Sequence, residues 1–174
     1  SLFLQCESMK KQISLVTIAC LGGWVFLQTG YATDLTVPKD TLVKVYFSPE
    51  GGCTDAIINE IDQANTEIIV QAYSFESKPI AKALVRAHKR GIKVQAILDK
   101  SKSSAKDSLV TSLTNASIPT YIDNNHGKAH NKIMIIDKVT LITGSFNFTK
   151  AAEEKKAENL LIISSKELAV LYLD

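Results

Sequence analysis

Hydrophobic positions along the chain follow two different periods, and each period predicts a different secondary structure. Short β-branched runs predict strands, whereas apolar residues spaced three or four apart predict helices with one buried face. In the first predicted helix, for example, Cys53, Ile57, Ile61 and Ala64 share a face. The predicted order in this half is strand 43–47, a helix beginning at residue 53, strand 68–73, helix 79–90 and strand 94–98.

The second half replaces this alternation with a hairpin. Residues 100–107 are polar and predict a loop, and a tight turn at Asp137-Lys138 joins two short strands. Ser164 and Glu167 have the spacing of a capping box before a last helix. The predicted elements are helix 109–113, strands 120–122, 132–136, 140–143 and 160–163, and a helix running to residue 174. We therefore expect an α/β fold: a layered α-β-α domain with a mixed central β-sheet.

Composition fits one globular domain with a substantial core. The chain has 174 residues, of which 45% are hydrophobic. Its formal net charge is only +2, so binding of a polyanion would depend on local clusters of basic residues.

The amino terminus is typical of an export signal. Lys10 and Lys11 follow Met9, residues 13–27 are almost entirely apolar, and Gly30-Tyr31-Ala32 offers a small-residue cleavage site. An uncleaved membrane anchor is the alternative, but the apolar stretch is short against the roughly 20 residues that a spanning helix needs. We expect residues 1–32 to be an upstream segment and signal peptide, and residues 33–174 to be the mature domain, with truncation at its carboxyl end left open.

The strongest functional pattern is a histidine, a lysine and an aspartate spaced as His-x-Lys-x4-Asp. His130, Lys132 and Asp137 form this pattern, and three of the four residues between Lys132 and Asp137 are β-branched. A Gly-Ser-x-Asn segment containing Ser145 and Asn147 follows, and Glu158 comes before the next apolar run. All of these residues lie on or beside predicted strands, so a folded sheet could bring them together.

These residue types suit attack on phosphorus. Alternation along a strand places His130 and Lys132 on one face, where an imidazole can attack and an ammonium can hold the phosphate oxygens. Ser145 and Asn147 share a face and could donate to the same phosphate. Glu158 could accept the other ring N–H of His130 and fix its tautomer. Asp137 ends the strand, where it could accept from the backbone or from a cation. We expect Asp137 to be catalytic together with His130, Lys132 and Glu158.

A pair of ordinary strands with a polar turn is the alternative interpretation. A lone His-x-Lys carries little weight, because His126 and Lys128 also fit it and have Ile133 where the aspartate would fall. The complete set in order favours a functional site. No metal site is expected, since His126 and His130 are four apart but do not lie on a predicted helix.

These motifs resemble the phospholipase D superfamily, whose signature is His-x-Lys-x4-Asp followed by a Gly-Ser-x-Asn-like segment. Residues 144–153 and 157–159 are similar to the small bacterial endonucleases of that superfamily, and the similarity runs from about Leu42 to the end. The resemblance implies a phosphohistidine intermediate without a metal or other cofactor. It implies His130 as nucleophile, Lys132, Ser145 and Asn147 as phosphate binders, and Glu158 as the partner of the histidine.

A basic stripe supports a polyanionic substrate. From residue 78 to residue 106 there are nine basic residues and one acidic residue, Asp99. Four of the basic residues repeat every four positions along one predicted helix face: Lys78, Lys82, Arg86 and Arg90. A solvated helix face is the alternative to a surface that follows phosphates.

Together, these patterns predict an exported phosphodiesterase, periplasmic or secreted, that cuts DNA, or RNA as an alternative, without strong sequence preference. Hydrolysis of phospholipid and a non-catalytic nucleic-acid-binding module are the competing hypotheses. Because the chain carries one complete motif, we also expect a homodimer with a shared active site. After signal cleavage we expect no stable membrane association.

Overall fold

A single mixed sheet of seven strands organises the computed structural model, which describes residues 35–104 and 108–173. The strands are β1 (Leu42–Ser48), β2 (Glu67–Ala72), β3 (Lys93–Asp99), β4 (Thr120–Asp123), β5 (Lys132–Ile136), β6 (Thr140–Gly144) and β7 (Glu158–Ser164). The helices are α1 (Cys53–Gln63), α2 (Lys78–Lys89), α3 (Lys100–Ser103), α4 (Val110–Asn115), α5 (Lys150–Lys155) and α6 (Lys166–Leu171). All of them belong to one unit, residues 37–173.

The strand order is β1-β7-β6-β5-β2-β3-β4. The pairs β2–β3 and β3–β4 are parallel, and every other neighbouring pair is antiparallel. One edge of the sheet therefore collects the carboxyl ends of β1, β2, β3, β4 and β6 and the amino ends of β5 and β7. We call this end of the strands the site edge, and it is the kind of position where α/β sheets bind ligands.

Helices cover both faces of the sheet, so the expected layered α/β fold is confirmed. The larger core cluster contains Ile57 of α1 and Leu84 of α2 against Val70 and Met134 of the sheet. A smaller cluster on the other face joins Ala169 of α6 to buried residues of β5 and β6. The alternation of apolar residues along each strand supplies both clusters.

Three elements differ from the sequence-based prediction. Residues 100–103 form the short helix α3 instead of a loop, because the Asp99 side chain accepts from the Ser101 N–H and caps it. Helix α5 was not predicted, although Thr149 caps it by accepting from Ala152 N–H. The cap of α6 is Ser165, one residue after the predicted Ser164, and α6 ends at Leu171.

The predicted signal peptide lies outside the described residues. Within residues 35–104 and 108–173, no helix combines the length and apolar character needed to cross a bilayer.

Candidate active site

His130 and Lys132 lie together at the site edge. Lys132 is the first residue of β5 and pairs with Ala72, the last residue of β2. Lys132 is 7% exposed, whereas His130 is exposed to solvent. An exposed imidazole therefore sits beside a buried ammonium, which is the arrangement expected for a nucleophile with a cation next to it.

The Lys132 ammonium contacts His130 directly. Its Nζ lies 3.2 Å from His130 Nδ1 and donates to the His130 carbonyl oxygen at 2.9 Å. Burial lowers the pKa of Lys132; the charge of Glu158 opposes this effect and the charge of Lys156 adds to it.

Tyr73 is a member of the site that sequence reasoning did not assign. Its ring centroid lies 4.5 Å from that of His130, with the planes tilted by 57°. The ammonium of Lys132 lies 5.2 Å from the Tyr73 centroid, and that of Lys102 lies 5.5 Å from it. In the sequence, Tyr73 ends a predicted strand and Lys102 is one of the nine basic residues between residues 78 and 106, but neither signal assigns them to the site.

Ser145 and Asn159 lock the segment after β6 onto β7. Ser145 N–H donates to Asn159 Oδ1 at 2.9 Å, and Asn159 N–H donates to Ser145 Oγ at 3.0 Å. Gly144 is required here, because it has φ +147° and an added Cβ would lie 2.4 Å from the Asn159 carbonyl oxygen. The register of β5 and β6, extended by two pairs, places Lys132 level with Gly144, so Ser145 belongs to the site edge.

Asn147 is held at the same edge by its neighbour. Phe148 bridges to Phe75, and its carbonyl oxygen accepts from Glu76 N–H and Ser77 N–H. The Oδ1 atom of Asn147 is buried and has no hydrogen-bond partner among the described residues. An amide with an unsatisfied oxygen at this position has hydrogen-bonding capacity left for a ligand or a bound water.

Glu158 lies on the same sheet face as Lys132 but does not hydrogen-bond His130. It begins β7, pairs with Ser48 of β1 and shares the face of the buried Leu160. No hydrogen bond from Glu158 to the imidazole occurs in the described part of the chain; Lys132 occupies the Nδ1 side instead. The Glu158 carboxylate therefore lies at the same edge as His130, but it does not orient the imidazole in this structure.

Asp137 lies at the opposite edge of the sheet, and its expected catalytic role is corrected. The whole of β5, five residues and roughly 17 Å long at about 3.3 Å per residue, lies between Asp137 and the segment that carries His130. Its carboxylate accepts from the backbone N–H groups of Asn65, Thr66 and Glu67 at 2.9, 2.8 and 3.1 Å. Burial would raise the pKa of Asp137, but these hydrogen bonds lower it to about 2. Asp137 anchors the start of β2 to the hairpin turn.

The basic stripe on α2 divides into two halves. Arg86 donates to both oxygens of Asp62 on α1 at 2.9 Å, and Arg90 donates to the Ile61 carbonyl oxygen at 3.0 Å and lies 3.7 Å from Asp62. Lys78 and Lys82 make no ion pair within the described residues. Since α2 follows β2, its amino end with Lys78 is at the site edge, and the two arginines lie toward the other edge.

The described residues contain no group of three or more His, Cys, Asp or Glu side chains that could hold a metal ion. The charged and titratable groups at the site edge include lysine ammoniums, the imidazoles of His126 and His130, and the carboxylates of Asp99, Asp123 and Glu158.

Comparison with known proteins decides the family. The family model described as the cardiolipin synthase, PLD-like domain matches residues 57–174. The chain belongs to the phospholipase D superfamily. The resemblance seen in the sequence is thereby confirmed at the level of the superfamily.

Three relatives illustrate the range of this PLD-like domain. It is 47% identical over 131 residues to a phospholipase D of Rickettsia conorii, covering 75% of this chain and 66% of that one, so the match spans just under two thirds of the relative. It is 32% identical over 111 residues to a mitochondrial cardiolipin hydrolase of Mus musculus, covering 64% of this chain and 50% of that one. The crystal structure of Nuc, a phospholipase D family member from Salmonella typhimurium, is 41% identical with a TM-score of 0.74 and covers 77% of this chain and 90% of that one.

Proposed function

We propose that this PLD-like domain is a metal-independent phosphodiesterase that cuts DNA, with RNA as an alternative substrate, through a phosphohistidine intermediate. The observation that carries the proposal is the exposed imidazole of His130 with the buried ammonium of Lys132 at 3.2 Å from Nδ1. One residue supplies the attacking nitrogen, and the other supplies positive charge where negative charge develops.

The first step forms a nitrogen–phosphorus bond and breaks a phosphorus–oxygen bond. In the free protein the Lys132 ammonium donates to Nδ1, which leaves the ring proton on Nε2. A bound phosphate offers Lys132 better acceptors, so the ammonium moves from Nδ1 to a non-bridging oxygen. Nδ1 then takes the ring proton and faces Glu158, and the unprotonated Nε2 attacks phosphorus. The leaving alkoxide takes a proton as it departs.

The second step returns the histidine. Water attacks the phosphohistidine, the nitrogen–phosphorus bond breaks, and a phosphomonoester leaves. Ser145 Oγ and the Asn147 amide hold the phosphate oxygens through both steps, since both side chains are at the site edge next to Lys132. The Glu158 carboxylate stabilises the imidazolium while it is present.

The leaving oxygen needs an acid on the side opposite the attacking nitrogen. Among the described residues, only the Lys132 ammonium lies within hydrogen-bond distance of the His130 ring, and it is assigned to the non-bridging oxygens. We assign the role of the acid to a second copy of the chain, in a homodimer whose two-fold axis passes beside His130. One imidazole attacks while the protonated imidazole of the partner subunit donates to the leaving oxygen. The partner imidazole then acts as base toward water in the second step.

Lysines at the site edge support a nucleic-acid substrate. Lys78 and Lys82 extend from the site along α2 without ion pairs among the described residues, and Lys102 lies beside Tyr73. A polynucleotide carries a phosphate on every nucleotide, so cations outside the central pocket add to its binding. A single phospholipid headgroup would use the central cations alone.

Phospholipid is the second candidate substrate. The relatives named phospholipase D and cardiolipin hydrolase favour it. The two candidates share the chemistry at His130 and differ in what lies on either side of the phosphate.

One assay separates these functions. Purified protein is incubated with plasmid, single-stranded DNA, RNA and cardiolipin vesicles, each with and without excess EDTA, and His130→Asn is the matched control. We expect cleavage of DNA that survives EDTA and is absent in the variant. Hydrolysis of cardiolipin alone would favour the second candidate, and loss of activity in EDTA that a divalent metal restores would refute the metal-independent scheme.

A further inference from the structure

A buried carboxylate at the site edge has no place in the scheme above. Asp99 is the last residue of β3 and is 0% exposed. Burial would raise the pKa of Asp99, but hydrogen bonds from Ser101 and Ala129 and the charge of Lys100 hold it below its ordinary value. Burying an ionised carboxylate costs free energy unless hydrogen-bond donors surround it. The donors to Asp99 therefore show which segments of the chain it holds in place.

One donor belongs to the segment that carries the nucleophile. Ala129 N–H donates to Asp99 Oδ2 at 2.6 Å, one residue before His130. The next two residues are fixed as well: Lys132 Nζ donates to the His130 carbonyl oxygen at 2.9 Å, and Tyr73 N–H donates to the Asn131 carbonyl oxygen at 2.8 Å. Three consecutive backbone groups are therefore anchored around an exposed imidazole, and Asp99 supplies the first anchor.

The other donors belong to helix α3. Ser101 donates to Asp99 Oδ1 through its N–H at 2.8 Å and through its hydroxyl. These bonds cap α3, whose Lys102 lies over the Tyr73 ring that also contacts His130. The two oxygens of one carboxylate thus hold two different parts of the site, the nucleophile segment and the helix that carries Lys102.

A neighbouring aspartate shows that this connection is specific. Asp123 is the pairing partner of Asp99 on β4, and its side chain is only 9% exposed. Asp123 accepts from Asn125 N–H and His126 N–H and contacts the His126 ring at 2.8 Å, all within its own loop. It makes no hydrogen bond to residues 129–132. Asp123 is therefore a matched control for Asp99: it stabilises a loop at the same edge but makes no hydrogen bond to the segment that carries His130.

We propose that Asp99 is a positioning residue that holds His130 and Lys102 in one geometry, with Lys102 as a further contact for substrate phosphate. The proposal rests on the proposed role of His130 as nucleophile. A nucleophile on an exposed segment gains rate from being held at the attack distance, and a displacement of about 1 Å can cost on the order of 100-fold. Fixing Lys102 to the same carboxylate keeps the phosphate and the attacking nitrogen in register.

Four variants test this positioning role: Asp99→Asn, Asp123→Asn, Ser101→Ala and Lys102→Ala. Each is compared with wild type for kcat and KM on bis(p-nitrophenyl) phosphate and on a short DNA, well below its melting temperature. We expect Asp99→Asn to lower kcat by about 10- to 100-fold, because it weakens the Ala129 anchor. We expect Asp123→Asn to keep kcat within about threefold of wild type. Ser101→Ala leaves the Ala129 anchor intact, so it should raise KM on DNA with little change in kcat, as Lys102→Ala should.

The outcomes are distinguishable. Inactive wild type with every diester would refute the proposed function, and the positioning role of Asp99 would fall with it. Active wild type with an equally active, folded Asp99→Asn would refute the positioning role alone. An equal loss of kcat in Asp123→Asn would also refute it, since the effect would then belong to the edge as a whole. If Asp99→Asn did not fold, Ser101→Ala and Lys102→Ala would decide. KM effects of the two variants that add when combined would contradict the holding of Lys102 through Ser101 and Asp99. Effects that overlap would support it.

Discussion

The ammonium of Lys132 bonds both the ring and the backbone of His130, at 3.2 Å from Nδ1 and 2.9 Å from the carbonyl oxygen. The pair is two residues apart where the chain enters β5, so the contact is local and depends little on the rest of the fold. It places a desolvated cation against the proposed nucleophile. The properties of this pair lead to the first prediction.

Activity should fall as the pH rises, and the midpoint of this fall should lie below 10.5, the ordinary pKa of lysine. Burial lowers the pKa of Lys132, so the ammonium is present below the lowered value and is lost as pH rises through it. A kcat profile against pH measures this limb. Lys132→Arg is the matched control: it should be slower overall, and its guanidinium stays charged throughout, so the limb should be absent. An identical limb in both proteins would show that another group causes it.

Asp137→Asn should affect stability and not the chemical step. The folded pKa is about 2 against an ordinary value of 3.8. A lowered carboxyl pKa stabilises the fold fully above the ordinary value, and this stabilisation is lost as pH falls through the folded one. We expect the variant to lose on the order of 1–2 kcal/mol of unfolding free energy at neutral pH, after allowance for solvent screening. The difference should shrink as urea melts are repeated from about pH 4 down to about pH 2. A large loss of kcat at unchanged stability would restore a catalytic role.

The two halves of the α2 stripe should differ in DNA binding. In an inactive His130→Asn background, replacing Lys78 and Lys82 with alanine should weaken binding and reduce the salt slope by about one unit for each phosphate that these lysines neutralise. Replacing Arg86 and Arg90 should change the slope little, because Asp62 already pairs with them. Fluorescence anisotropy at several salt concentrations measures both slopes. Equal effects would mean that the arginines leave Asp62 to bind DNA.

The shared site predicts that an inactive copy inhibits an active one. If each cut needs an imidazole from two chains, mixing wild type with excess His130→Asn should lower activity per wild-type chain toward zero once subunits exchange. The same excess of albumin is the control for crowding and adsorption. Sedimentation at the assay concentration gives the mass. Constant activity per wild-type chain, or full activity where only monomer sediments, would contradict the shared site.

The sequence predicted the site best where its contacts run along one strand. His130 and Lys132 are neighbours because they lie two residues apart where the chain enters β5, and the apolar pattern located most strands and the two long helices. The same motif wrongly suggested a catalytic role for Asp137, because the four strand residues after Lys132 place Asp137 at the opposite edge of the sheet. Asp99, Tyr73 and Lys102 were missed because their contacts join β2, β3 and α3 across the sheet, and no local spacing encodes them. The pairing of Arg86 with Asp62 was missed for the same reason, because it depends on how α1 packs against α2.

Detection of a phosphorylated His130 tests the central claim most directly. Wild-type protein is mixed with an oligonucleotide labelled at both ends, so that either retained fragment carries label, in a single-turnover experiment. The reaction is quenched in base, where phosphohistidine is stable, and the labelled peptide is mapped by mass spectrometry. The account predicts a transient adduct on His130 that forms and decays at rates consistent with turnover and is absent in His130→Asn. Turnover with no adduct at any time, together with a folded His130→Asn that still cleaves DNA, would contradict it.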